Sequence, residues 1–266
     1  MQLADAIQGD PLVSVVMSFH NARDTLTRAI RSLLWQTYPH WELILLDDGS
    51  SDNSAQTLKS LEDPRIHLRS DSVCRGLPVR LNQGISLAKG DYIARMDADD
   101  VAFPERCARQ VAYLQNHPEV DLLATAALLV NANDLPIGLL ATGLSHAAIC
   151  RRPWHGFPMP HPTWMGRADW FRRHPYNERA RKVQDQEHLF RTFRESCFSG
   201  LPDALLGYRY GNISLKKSLS GRGTYPSAIY AGRERPGWTA FFVKSVFYHG
   251  AAAVRDGITR LLMRDL

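Results

Sequence analysis

The stretch SVVMSFHNARDTLTRAIRSLLWQTYPHWELILLDDGSSDNS, residues 14–54, decides the fold class. It opens inside an apolar, β-rich run from Leu12 to Met17. Leu26, Ile30, Leu33 and Leu34 then recur at helical spacing and share one face. A second apolar run, Trp41 to Leu46, ends in Asp47-Asp48-Gly49-Ser50. Strand, helix and strand in that order predict a β then α unit.

Working outward from this unit, Arg65 to Leu68 reads as a shorter third strand, Val79 to Ala88 as a helix, and Tyr92 to Met96 as a further strand. That strand stops at Asp97-Ala98-Asp99-Asp100, and Pro104 suits the first turn of a new helix. Strands separated by helices imply a mostly parallel sheet flanked by helices, an α/β fold whose ligand site lies at the carboxyl ends of the strands. Both aspartate clusters fall at such ends. Beyond Asp121 the pattern predicts a strand at Leu122 to Val130, a turn near Asn133-Asp134, and a loop rich in Pro, His and Trp from Arg152 to Trp164. A helix from about Gln184 to Glu195 and a strand at Ala204 to Arg209 follow. Residues 213–235 carry Lys216, Lys217, Arg222, Arg233 and Arg235 against the single acid Glu234, a basic loop. Trp238, Phe242, Val246, Val254, Ile258 and Leu262 recur at multiples of four, which predicts an amphipathic helix or a broken pair of helices.

With 266 residues and 44% hydrophobic content the chain is long enough to bury a full core. The formal charge of +5 suits an anionic partner, whether nucleotide, lipid surface or nucleic acid, and is too mild to choose among them. Cys74, Cys107, Cys150 and Cys197 stand far apart with no C-x-x-C pair, which argues against a zinc site or a disulfide framework. The start MQLADAIQGD has no basic or apolar leader pattern, and no run of about 18 apolar residues occurs. The expectation is a cytoplasmic protein.

The acid clusters carry the chemistry. Asp97, Asp99 and Asp100 follow a buried strand and gather carboxylates in one turn, the ligand type that Mg²⁺ or Mn²⁺ prefers. The same residues would also serve as a solvated turn capping the next helix. Asp47 and Asp48 could face a nucleobase or a ribose, and Gly49 with Ser50, Ser51 and Asp52 would equally make ordinary turn and capping chemistry.

On these residues the chain resembles family 2 glycosyltransferases. Residues 14–54 match that family's opening almost element by element, and Arg75-Gly76, Leu81-Asn82-Gln83-Gly84-Ile85, Ala88-Lys89-Gly90-Asp91-Tyr92-Ile93 and Met96-Asp97-Ala98-Asp99-Asp100 continue it. The resemblance implies a GT-A fold over residues 1–212, with 11–116 as the nucleotide-sugar half and 117–212 as the acceptor half. The basic loop and helical tail of 213–266 would be appended. It implies that Phe19 and Asn21, with His20 between them, frame the base, that Asp48 holds it, and that Arg80 joins the nucleotide-sugar contacts. Asp97 would approach the ribose or donor sugar, Asp99 would be the principal metal contact, and Asp100 would support it. The resemblance also implies inversion, which needs a general base beside the acceptor hydroxyl. In the stretch Val183-Gln184-Asp185-Gln186-Glu187-His188 the matching base is Asp185, with Glu187 as the fallback because Gln184 stands where glutamate is usual. His161 of His161-Pro162-Thr163 would bind donor sugar or acceptor.

The implied partners are a nucleotide-sugar donor, with UDP as the first choice of nucleotide and GDP or dTDP as alternatives, and a saccharide or lipid-linked saccharide acceptor. The Q-x-x-R-W motif of processive synthases is absent, so a single addition is implied, in the setting of bacterial surface polysaccharide or lipopolysaccharide. The tail's Lys244, Arg255, Arg260 and Arg264 beside an apolar stripe would allow peripheral contact with the inner face of a membrane, and packing on the domain is the other reading. The competing functions are a nucleotidyltransferase, which wants a Gly-rich basic loop where Ser18-Phe19-His20-Asn21 stands, and a non-catalytic carbohydrate-binding protein, which would lack the acids. No G-x-G-x-x-G follows the first strand, against a dinucleotide oxidoreductase, and no nucleic-acid reading motif is present.

Overall fold

Alternation along the first strand sets up two layers of helix around one sheet. In β1 (Val13–Phe19) residues Val13, Val15, Met17 and Phe19 point to one face and Val16 to the other. The first face is covered by α1 (Leu26–Leu34), whose Leu26, Ala29, Ile30 and Leu33 are buried, as the periodicity predicts. Leu26, Ile30 and Leu33 each contribute roughly 1.5–3 kcal/mol relative to exposure. The chain continues through β2 (Trp41–Asp48), a 3₁₀ turn at Ser54–Ser60, β3 (Ile66–Asp71), α2 (Leu77–Leu87), β4 (Tyr92–Asp97), β5 (Val101–Ala102) and α3 (Arg106–Asn116). The second half supplies β6 (Leu122–Val130), β7 (Pro136–Leu140), α4 (His146–Ile149), a 3₁₀ turn at His161–Thr163, β8 (Met165–Arg167), α5 (Ala168–Arg173), α6 (Gln184–Thr192), β9 (Phe198–Arg209) and α7 (Trp238–Leu262). The computed structural model describes residues 10–180, 182–210, 225, 226 and 238–262, with side chains through Ala252 and without those of Lys59, Ser60 and Trp238.

The sheet runs β3-β2-β1-β4-β8-β6-β9-β5, with β7 paired to β6. Its first four strands are parallel. Three-residue β8 is antiparallel to both β4 and β6 and joins the two halves of the sheet. Parallel pairing returns at β6–β9, while β5 and β7 are antiparallel additions. This is the expected α/β sheet, mostly parallel in the first half and mixed in the second. Helices α1 and α3 pack on one face, and α2, α5 and α6 on the other.

Several element boundaries differ from those the sequence pattern predicts. The last strand starts at Phe198 rather than Ala204, and α6 ends at Thr192 rather than near Glu195. Trp164 and Trp170 are core residues. The tail forms one helix, not a broken pair. Its Phe241 stacks on Trp154 and meets Phe190 and Phe193, so this helix packs on the second half of the sheet. The basic loop of residues 213–235 lies outside the described residues apart from Tyr225, whose hydroxyl donates to the Pro153 carbonyl, and Pro226. Among the described residues no helix is long and apolar enough to cross a membrane.

Candidate active site

At the end of β2 the chain turns through Gly49, whose φ of +75° is accessible at no steric cost only to glycine. A Cβ there would also meet the backbone nitrogen of Cys74 at 2.9 Å, so the turn is pressed against the loop that leads into α2. This approach delivers Asp48 to two backbone donors. Its Oδ1 accepts from Arg75 N at 2.7 Å and from Arg80 Nε at 2.9 Å, and Gly76 N donates to Oδ2 at 3.0 Å. Burial pushes the Asp48 carboxyl up, but hydrogen bonds from Arg75, Arg80 and Gly76 outweigh it and hold the group below its ordinary value. Arg80 is itself buried. Its remaining N–H groups reach Asp71, Gln83 Oε1 and the Val73 carbonyl. All five donors of the guanidinium are therefore on protein partners. Asp47 is internal too, accepting from Ser50 N at 2.8 Å and from the Ser70 hydroxyl at 2.9 Å.

Phe19 is a core residue whose backbone leads into the loop above. Asn21 adopts φ +51° and ties that loop to the β2 turn: its N donates to Ser50 Oγ at 3.0 Å and its Oδ1 accepts from Ser51 N at 2.8 Å. His20 Nδ1 donates to the Asp48 carbonyl at 2.9 Å. Phe19, Asn21 and Asp48 thus meet at adjacent strand ends, with Arg80 behind Asp48.

The end of β4 is arranged differently. Ligand oxygens of Asp97, Asp99 and Asp100 lie within 4.8 Å of one another. At an effective dielectric of 20, like charges at that distance repel by roughly 3 kcal/mol per pair. Burial, then the Asp97 charge, pushes Asp99 up from its ordinary value and Asp100 up to about 8. Asp100 accepts from Arg209 N at 2.9 Å through Oδ1, while its buried Oδ2 has no partner among the described residues. Arg95, buried in β4, pairs with Asp97, and its Nε and Nη1 are without partners. Three convergent carboxylates, one with an orphaned buried oxygen, fit a hard divalent cation.

The third group lies in a cavity of about 320 Å³ lined by Leu140, Pro158, His161, Asp185, Gln186 and Tyr208 among others. Asp185, in the first turn of α6, is half-buried, and burial raises its carboxyl above the ordinary value. Glu187 does not line this cavity; its carboxylate accepts from Arg191 Nε at 3.1 Å. His161 Nε2 and the Tyr176 hydroxyl share a 2.8 Å hydrogen bond, and burial, then Arg95, pushes the imidazole well below its ordinary value, so it is neutral. Arg95 acts electrostatically on Asp99, Asp100 and Asp185 alike, and Tyr208, which lines the cavity, feels Asp97, Asp100 and Asp99. The acid cluster and the Asp185 cavity are therefore one neighbourhood. Arg95, Tyr208 and Arg209 were missed in the sequence. For Arg95 a signal existed: a lone cation inside the apolar run Tyr92 to Met96, directly before the acids.

Residues 14–196 match the family model described as Glycosyl transferase family 2. The chain belongs to this family. EpsE of Bacillus subtilis (strain 168), named as a glycosyltransferase, is 34% identical over 215 residues, covering 78% of this chain and 76% of its own. WfgD of Escherichia coli, named UDP-Glc:alpha-D-GlcNAc-diphosphoundecaprenol beta-1,3-glucosyltransferase, is 35% identical over 105 residues, 40% of this chain and 42% of its own. Among solved structures, S. aureus TarS 1–349 in complex with UDP superposes with a TM-score of 0.63 at 19% identity, covering 82% of this chain and 65% of TarS 1–349. The mannosyltransferase PcManGT from Pyrobaculum calidifontis, in complex with GDP-Man and Mn²⁺, gives 0.66 at 12% identity, covering 95% and 76%. At these identities the two structures establish the fold, which is GT-A.

Proposed function

We propose that this glycosyltransferase moves a sugar, with inversion, from a UDP-sugar to a hydroxyl of a lipid-diphosphate-linked saccharide during assembly of a bacterial surface polysaccharide or lipopolysaccharide. One observation carries the reading: a cluster of three carboxylates at the end of β4, with only Asp97 ion-paired among the described residues, stands beside a cavity lined by one half-buried carboxylate, Asp185. The donor would lie across the ends of β1, β2 and β4, in residues 11–116, and the acceptor in the half formed by 117–212. TarS binding UDP and WfgD acting on a diphosphoundecaprenol-linked sugar support the choice of donor and acceptor.

In this scheme the loop at Phe19 and Asn21, with Asp48, borders the base, and Arg80 acts through Asp48 because its donors are all engaged. Asp99 and Asp100, with Asp97 beside them, would hold Mn²⁺ or Mg²⁺, which supplies positive charge against the departing diphosphate. Asp185 takes the proton from the acceptor hydroxyl as its oxygen attacks the anomeric carbon from the face opposite the diphosphate. A new C–O bond forms, the bond to the diphosphate breaks, and the nucleoside diphosphate leaves with the electron pair. The raised proton affinity of Asp185 makes it a better base than an exposed carboxylate. Neutral His161 can exchange a hydrogen bond with a sugar hydroxyl without adding charge to the cavity.

The test is calorimetric titration of UDP and GDP with and without Mn²⁺, repeated on Asp99→Ala. Metal-dependent binding that the substitution abolishes supports the scheme. Absence of nucleotide binding in the wild type under all conditions overturns it.

A further inference from the structure

Next to the Asp185 cavity lies a second one of about 470 Å³, and its lining differs in kind. Arg151, Arg152 and His155 face it, among the described residues no carboxylate lines it, and Gln186 is its other polar wall. The guanidinium groups of Arg151 and Arg152 are exposed and form no ion pair with any described carboxylate. Two adjacent arginines without acids are an anion site in waiting, because guanidinium N–H pairs match phosphate oxygens.

The two cavities share walls. Phe157, Pro158 and Gln186 line both. Gln186 accepts from Phe157 N at 2.7 Å and donates to the Phe157 carbonyl, and its amide also reaches Asp185. Gly156, at φ +114°, brings the backbone so close to this amide that a Cβ would sit 3.0 Å from Gln186 Oε1. Gln186 therefore touches the candidate base and also lines the cationic cavity. On the outer side His155 contacts the Tyr248 ring of α7 at 4.2 Å, and the next exposed apolar residue of that helix is Phe247.

We infer that the cavity of Arg151, Arg152 and His155 is the subsite for the diphosphate of a lipid-linked acceptor, holding it while the attached sugar enters the Asp185 cavity. The inference rests on the acceptor class proposed above. It adds an acceptor-side diphosphate site, separate from the donor site at the end of β4.

A short isoprenyl diphosphate is a suitable probe. Geranyl diphosphate is titrated into the chain already saturated with UDP and Mn²⁺, with Mn²⁺ matched in cell and syringe, so that the donor site is closed to it; geraniol is the uncharged control. Wild type is expected to bind geranyl diphosphate well above geraniol. The Arg151→Gln/Arg152→Gln pair should bind it about tenfold more weakly, the scale of one charge-assisted contact, with UDP–Mn²⁺ affinity unchanged. Arg151→Glu, a charge reversal at an exposed position, should weaken it at least as much as loss of either arginine alone. Equal affinity for geranyl diphosphate and geraniol, or an undiminished affinity in the double variant, overturns the inference and leaves the donor reading intact. If UDP does not bind wild type at all, the donor reading falls and the inference with it.

Discussion

Two pairs of acids stand at the ends of β2 and β4, the strands on either side of β1, and have opposite fates. Asp47 and Asp48, at the end of β2, are buried and surrounded by donors: Ser50 N, Ser70 Oγ, Arg75 N, Gly76 N and Arg80 Nε. Asp99 and Asp100, just past β4, receive one backbone donor from the neighbouring strand, Arg209 N on Asp100, and otherwise face each other and Asp97. Asp48 is held on the ionised side, whereas Asp99 and Asp100 are pushed toward the protonated side. The residue type and the position in the fold are the same, and what differs is whether the protein supplies the compensating charge. Where it does, the acid builds the loop. Where it does not, the charge is left for a ligand.

The contrast predicts different costs. Replacing Asp99 by Asn should reduce kcat/KM for sugar transfer by roughly a thousandfold, the range seen when a preorganised electrostatic contact to the reacting charge is removed. The same substitution should not lower the thermal midpoint of the ligand-free protein, because it relieves repulsion; steady-state kinetics and a melting curve read the two effects separately. Replacing Arg80 by Met should do the reverse. It strands Asp48 without its buried counter-charge and should cost about 3 kcal/mol of stability, which at roughly 2–4 °C per kcal/mol is a drop of about 6–12 °C in Tm. A fall in activity at low temperature without a fall in Tm would break the comparison.

Proton linkage sharpens it further. Asp100 holds its proton up to about pH 8, so a cation must displace that proton. Mn²⁺ affinity measured by titration should therefore rise by up to about tenfold per pH unit between pH 6 and 8 and flatten above 8. In the ligand-free protein the sign for stability is the opposite: a raised carboxyl favours the folded state at low pH, and that contribution is lost as pH rises from 3.8 toward 8. Asp48, with its pKa lowered, stabilises the fold above its ordinary value of 3.8 and ceases to do so as pH falls through its folded value. The smallest effect expected is at Ser70. Ser70→Ala removes one donor to Asp47 and should cost about 1 kcal/mol by urea unfolding, with transfer kinetics unchanged.

The sequence made the first half of this architecture plain because its strands are long, apolar and interrupted by an amphipathic helix. Leu26, Ile30 and Leu33 fall where the 3.6-residue period puts them, and both acid clusters lie where the runs stop. The second half resisted for physical reasons. β8 and β5 have three and two residues, too few for any period to register. β7 is an exposed edge strand, Pro136–Leu140, whose leucines are not buried and so leave no alternation of polar against apolar. In the site, residue type pointed to Asp97, Asp99, Asp100 and Asp185, but it could not tell Asp185 from Glu187. Only the direction of each side chain from α6 separates the one in the cavity from the one paired with Arg191. The resemblance puts Arg80 among the nucleotide-sugar contacts, and its burial behind Asp48 is invisible without the fold.

The shortness of β8 has a consequence for how the chain is made. During synthesis from the N-terminus, β1 to β4 emerge as a contiguous parallel block, and its helix α1 can cover one face at once. The free side of β4, however, has its partner only after Met165 has left the ribosome. For the interval between Asp97 and Met165 the nascent chain carries an open, apolar strand border, which is a template for pairing with another chain. Three residues then close it, Met165 against Ala94, Gly166 against Ile93 and Arg167 against Tyr92. Expression yield should therefore be more sensitive to damage at Met165–Arg167 than the size of that strand suggests.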